Sequence, residues 1–386
     1  MNNDFHYYAT YCSAYLAGYS HEECLEICYS AQLVDWCTRT FLSKLKAPLA
    51  AATTQLSLEL MDERSDSIGI QDITRIWSSF HFLPYDLHAK KPHCSKRYLN
   101  KYRLICKPNG DLLAKTVNLA KGKSLQAVGI AMHVLADTWA HKNFAGTPSL
   151  VINNINYYIY ELLPDDEGFT ERPIKFSHNP SAKDDIENSV YVNTIYQDSE
   201  NAIMNLGHGR AGHLPDYSFI RYKYLPAWAE YEEELKDNPS DYYHAVCQMV
   251  YAMKYLRGEY ETFEKCTYDI ESVGKWEKRI KDIIGKRRLN AAEDWKALGE
   301  ELSGEKIVPF ELERYHNEFT SADDKENTFL GKFINAALAQ KSMVSTEIYQ
   351  SGNKLAGHPV NPDKEGFKKK RRSERSGKKG KGGKEI

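Results

Sequence analysis

Apolar residues run almost unbroken from Ser124 to Gly146, SLQAVGIAMHVLADTWAHKNFAG, and this pattern predicts a helix. Val128, Ile130, Ala131, Met132, Val134, Leu135 and Ala136 cover nearly every side of it, which marks a helix surrounded by protein rather than one lying on a surface. Elsewhere the pattern is amphipathic. Phe5 to Ala17 reads as a helix stopped by Gly18, and Ser20 with Glu23 forms a capping box that opens a second helix reaching about Cys37. The i, i+3, i+4 stripe of that second helix assigns Asp35 to the core. Leu45 to Gln71 is poor in helix signals, and Leu99 to Leu113 reads as a two-stranded element turning at Pro108, Asn109 and Gly110. Leu150 to Leu163 is expected as a helix with a stripe of Tyr157, Tyr158 and Tyr160, then Pro164 to Pro180 as a loop and Asp184 to Leu206 as helix again. Long amphipathic helices are expected over Ala227–Gly258 and Tyr260–Leu302, and a last one, weakly linked to the rest, over Phe329–Tyr349.

The pattern therefore predicts an all-α chain, a multi-helix bundle with small irregular or β elements in insertions. Residues 1–305 are expected as one helical domain, 306–360 as a helical extension and 361–386 as a disordered basic tail. At 386 residues and 42% hydrophobic content the chain is long enough to bury a large core. The formal charge of −2 conceals an asymmetry: Lys368 to Ile386 carries about +8 and the rest about −10. Such a tail is too polar to order itself and suits contact with nucleic acid or an anionic membrane. The chain shows no signal-peptide pattern and no 18-residue apolar run, and its eight cysteines form no CxxC pair, so a cytoplasmic protein with reduced cysteines is expected. GxGxxG, Walker and GxSxG motifs are all missing, which argues against a dinucleotide enzyme, a P-loop enzyme and an α/β-hydrolase.

The chemistry lies on the apolar helix. His133, Asp137 and His141 stand at i, i+4 and i+8, each offset from the last by roughly 40° around the axis and about 6 Å along it. A carboxylate and two imidazoles are thus directed into a core, where an unpaired charge is costly and a divalent cation is an economical partner. Nitrogen and oxygen ligands suit zinc first and manganese or iron next. Asp137 could chelate one ion with His133 while His141 faces a second. NLGHGRAGHLPD adds His208, His213 and Asp216 on glycine-rich, permissive backbone. His81 sits between two phenylalanines just before Pro84, and His6 lies in the first turn after Asp4.

The run GIAMHVLADTWAHKNFAG resembles the signature of the zinc-dependent phospholipase C superfamily, in its branch with a short HxxxDxxxH helix. That superfamily includes the zinc-dependent single-strand nucleases. DFHYYATYCSAYLAG and GHGRAGHLPD are similar to an uncharacterised bacterial family that is an offshoot of it, and the resemblance spans roughly residues 4–225. It implies an all-helical fold around a buried cluster of two or three zinc ions. Carried over in chain order, it implies His6, Asp35, His81, His133, Asp137, His141 and then His213 with Asp216 as ligands, with His208 the rival of His213. Secreted members of the superfamily add the amine of an N-terminal Trp; this chain begins MNND, so one ion is missing or held by Asp4. In this reading His81, His133 and Asp137 hold one ion, Asp35 is a ligand or the base that orients water, and His141, His213 and Asp216 hold the second. His6 completes a third, and Arg210 contacts phosphate. The activity implied is hydrolysis of a phosphodiester or phospholipid-like substrate, with Asp35 and Asp137 at its centre. The alternatives are a helical interaction protein with a structural metal site, and a helical scaffold without metal.

Overall fold

The computed structural model describes residues 4–156, 158–166, 168–177, 179, 182–193, 205–230 and 232–365. The basic tail expected at 368–386 lies outside them. Among the described residues the chain is mostly helical with two small sheets. It opens with a wide i→i+5 turn, Asp4–Ala9, that runs into α1 (Thr10–Leu16), and Gly18 at φ 86° ends the segment. The expected capping box opens α2 (His21–Leu33): Glu23 N–H donates to Ser20 Oγ and Ser20 N–H to Glu23 Oε2. There follow α3 (Arg39–Leu45), α4 (Ser57–Glu63), α5 (Ser67–Phe80), α6 (Lys96–Tyr102), α7 (Asp111–Ala120), α8 (Leu125–Ala140) and the short α9 (Leu150–Asn153).

Helix α8 is the axis of the molecule. It packs against α2, α5 and α7 and against two later helices, α10 (Asn238–Arg257) and α15 (Phe329–Gln350), and nearly all of its residues are buried. The approach to α2 is close enough that a Cβ on Gly129 would stand 2.4 Å from Ile27 O, so only glycine permits it. Between α10 and α15 lie α11 (Ile270–Gly274), α12 (Glu277–Gly285), α13 (Ala292–Ser303) and α14 (Leu312–Ser321), and α16 (Pro362–Glu365) closes the described chain. Helix α15 is not weakly linked, as its sequence pattern implied: Phe333, Ile334, Ala337, Leu338 and Val344 are buried in the same core as α8.

The sheets occupy the segment between α9 and α10. Strands β1 (Ile159–Asp165), β2 (Gly168–Pro173), β5 (Arg221–Tyr224) and β6 (Glu234–Asp237) form an antiparallel sheet in the order β2-β1-β5-β6, and β3 (Lys175–Ser177) pairs in parallel with β4 (Val190–Val192). This corrects the helix expected over Leu150–Leu163, the loop over Pro164–Pro180 and the unbroken helix from Ala227. The period there is two, not 3.6: Tyr222 and Tyr224 point inward while Arg221 and Lys223 point out. The helix expected over Asp184–Leu206 is likewise replaced by β4, and residues 194–204 lie outside the described ones. The two strands expected at Leu99–Leu113 are instead the ends of α6 and α7, joined through Pro108, Asn109 and Gly110. The helix-poor reading of Leu45–Gln71 gives way to α4 and the start of α5, which Asp66 caps through Ile68 and Gly69 N–H. The second apolar cluster, with Phe82, Phe144, Leu214, Tyr222 and Tyr224, joins the sheet to the end of α8.

Candidate metal centre

Three routes deliver side chains to one end of α8. His133 and Asp137 come from α8 itself, His141 is its C-cap, and His81 is the C-cap of α5. The wide first turn brings in His6, whose ring stacks on His133 with centroids 3.7 Å apart and planes 16° from parallel. His6, His133 and Asp137 are buried. His81 Nδ1 lies 3.1 Å and His133 Nε2 3.2 Å from Asp137 Oδ2, and these two nitrogens are 3.3 Å from each other. His6 Nε2 is 3.1 Å from Asp137 Oδ1.

The far sides of the rings fix their protons. His133 Nδ1 faces Ala31 O at 2.9 Å and His81 Nε2 faces Thr53 O at 3.1 Å. A carbonyl only accepts, so each of those nitrogens carries the hydrogen, and in a neutral ring the inward nitrogen is a lone pair. Burial, the largest influence, holds His81 below the usual histidine range and His6 down to about 4, so both are neutral near pH 7. Three acceptor atoms, His81 Nδ1, His133 Nε2 and Asp137 Oδ2, therefore crowd together. Asp137 stays ionised near pH 7: burial pushes its pKa up, but in acid the protonated rings of His141, His133 and His6 outweigh it and hold it well below the ordinary range.

Asp35 does not occupy the buried helical position that its spacing implied. Helix α2 stops at Leu33 and Asp35 lies in the turn beyond it, 28% exposed, with Oδ1 3.9 Å from both His81 Nδ1 and His133 Nε2. It forms the solvent side of the first group, beside Trp36, itself 41% exposed.

The second group is His141, His208 and Asp216. Asp216 Oδ1 lies 3.2 Å from His141 Nε2 and 3.7 Å from His208 Nε2. Both rings again donate Nδ1–H to a carbonyl, His141 to His81 O at 2.7 Å and His208 to Gly212 O at 2.7 Å. Gly212, at φ +57° and with a Cβ position 2.2 Å from Val192 O, lets the backbone turn that carbonyl toward His208. The same turn sends His213 outward: its side chain is 61% exposed and meets the outer face of Asp216, Nδ1 to Oδ2 at 3.3 Å, and the ring of Tyr217. His208 thus takes the place that the resemblance gave first to His213. Burial lowers the His208 pKa to about 4, and Asp216 is held well below the usual range, against the effect of burial, by the protonated forms that His208, His141 and His213 take in acid. The groups adjoin, since His141 Nδ1 is 3.6 Å from Asp137 Oδ2.

Other expectations fare differently. Asp4 accepts from Ala291 N–H at 2.9 Å, and Arg210, expected to contact phosphate, is buried with its Nε–H donating to Asn205 Oδ1 at 2.8 Å. His6 joins the first group rather than founding a third. Sequence reasoning missed the Ala31, Thr53 and Gly212 carbonyls that orient the rings, because a backbone acceptor leaves no mark in residue type.

The residues fit a divalent ion at either group: each has imidazole lone pairs beside an ionised carboxylate, and among the described residues His6 Nδ1 has no hydrogen-bond partner while its Nε2 meets only the Asp137 carboxylate, at 3.1 Å. Fold and site together define a mostly helical protein with a buried histidine–aspartate centre. The chain belongs to the Family of unknown function (DUF6765), whose model matches residues 1–348. No curated protein and no solved structure matches it. No helix among the described residues is long and apolar enough to cross a membrane.

Proposed function

We propose that this protein is a metal-dependent phosphoester hydrolase acting on a phosphodiester or phospholipid-like substrate, with zinc the first expected ion and manganese or iron next. The observation that carries the reading is the crowding of His81 Nδ1, His133 Nε2 and Asp137 Oδ2 within 3.3 Å of one another while the opposite nitrogens are engaged by carbonyls. Acceptors so close repel unless a cation lies among them. The likeness to the zinc-dependent phospholipase C and nuclease superfamily agrees with it.

Divalent ions bound there supply a Lewis acid for phosphoryl oxygens and lower the pKa of water to about 7. Asp137 gathers the rings, with Oδ1 toward His6 and Oδ2 toward His81 and His133. Asp35, at the open edge, is placed to accept a proton at Oδ1 from a water entering on the solvent side. His141 and His208 keep their Nε2 lone pairs toward Asp216 because their Nδ1 hydrogens are committed.

The full burial of His6, His133 and Asp137 favours a second reading, a structural metal site in a helical interaction protein. Hydrolysis of bis-p-nitrophenyl phosphate separates the two. The hydrolase reading expects activity that chelation abolishes and zinc restores, whereas bound metal without turnover supports the structural site.

A further inference from the structure

Hydrogen bonds link the first centre to a residue from the far end of the chain. Lys341, on α15, is 3% exposed, and among the described residues no carboxylate pairs with it. Its Nζ donates to Ala50 O at 2.6 Å and to Ala52 O, 291 and 289 residues away in sequence. Burial pushes its ammonium down to about 7, as befits an amine whose hydration has been exchanged for backbone carbonyls.

The next residue is Thr53, and each of its polar groups is used near the centre. Its N–H donates to Cys37 O at 2.9 Å and its hydroxyl to Val34 O at 2.6 Å, so it clasps the turn that presents Asp35 from both sides. Its carbonyl accepts Nε2–H of His81 at 3.1 Å, which keeps His81 Nδ1 a lone pair directed at Asp137. A shift of Thr53 would loosen both the hold of its carbonyl on the His81 tautomer and the bonds of its N–H and hydroxyl to the Asp35 turn. Outer partners of this kind orient metal-ligating histidines, and losing one commonly weakens binding about 10–100-fold.

We propose that Lys341 is a positioning residue for the first centre, fixing the 50–52 backbone so that Thr53 O holds His81 in its ligating orientation. The inference rests on the metal-binding reading above, and it makes α15 a working part of the centre.

Cobalt(II) titration of the full chain, followed by its visible d–d absorption, tests it. K341M is expected to bind cobalt about 10–100-fold more weakly than wild type, with an altered band shape. S342A is the control: it removes a bond from the same helix, Ser342 Oγ to Val360 O at 2.8 Å, without touching the 50–52 loop, and is expected to leave affinity and spectrum unchanged. In an H81A background K341M is expected to add clearly less than its loss in wild type, because most of its effect runs through His81. Equal affinity in K341M and wild type, an equal loss in S342A, or losses that add in the double variant would each overturn the positioning role while leaving the metal reading intact. Wild-type protein that takes up no cobalt overturns both. Should K341M not fold, K341Q, which keeps an NH2 donor on a shorter arm, undergoes the same titration.

Discussion

The two histidine–aspartate groups meet at the end of one helix but are built from different materials. The first is assembled from helices: His133 and Asp137 lie within α8, His81 caps α5, and the rings are held by carbonyls of packed segments. In the second, only His141 belongs to a helix end, and His208 and Asp216 stand on short turns around residues 208–216, between β4 and β5. The first group is thus positioned by helix packing, whereas the second depends on hydrogen bonds that pin its turns, from Asn238 Nδ2 to Leu214 O and Tyr217 O and from the Tyr242 hydroxyl to Pro215 O. The open edges follow the same division: Asp35 is 28% exposed beside the first group, and His213 is 61% exposed beside the second.

The comparison breaks most directly at Asp137, whose two oxygens face His6, His81 and His133. D137N is expected to empty the first group and to cost hydrolysis more than the roughly 10–100-fold typical of losing an outer partner, with metal content and rate falling together. Lost activity with metal content intact would remove Asp137 from the ligand set. H208A is expected to lower metal content by one ion while the first group stays loaded, which elemental analysis reads directly. Loss of both ions there would show the groups to be one interdependent site.

Acid sharpens the contrast further. His6 and His208, one in each group, titrate near 4 in the folded chain against 6.5 unfolded, so between these values the unfolded chain binds protons that the folded one refuses. Stability of the chelated protein should therefore fall as pH drops from about 6.5 to about 4, by on the order of 3 kcal/mol per ring. Asp137 and Asp216, held below 3.8, contribute stability present above that value and lost as pH falls toward their folded pKa values. Thermal melts across this window read the effect, and a flat profile in chelated protein would contradict the neutral-ring assignment. The smallest expected change is H213A, a mostly exposed substitution expected to stay within about 0.5 kcal/mol and to keep both ions.

Much of the first group was legible because a helix repeats. The i, i+4, i+8 spacing placed His133, Asp137 and His141 on one face, and the apolar residues around them announced burial. Asp35 was harder: Asp35 N–H bonds Gln32 O and Trp36 N–H bonds Leu33 O, so the chain leaves the helix just where the stripe seemed to continue. The choice between His208 and His213 depended on the backbone at Gly212, which residue type alone does not reveal. Tyr158 and Tyr160 read as a helical stripe with Tyr157, which lies outside the described residues, because the ladder partners of β1 are distant in sequence: Lys223 stands opposite Tyr160 and Tyr224 opposite Ile159. Lys341 carried no local signal either, since its carbonyl partners lie at the other end of the chain.

The central claim is that buried lone pairs and carboxylates converge here to hold divalent ions. Elemental analysis of full-length protein purified without chelator tests it most directly. The account predicts at least two divalent ions per chain, with zinc leading, and one fewer in H208A. Protein that carries none, and takes up none on dialysis against zinc, manganese or iron, would contradict it.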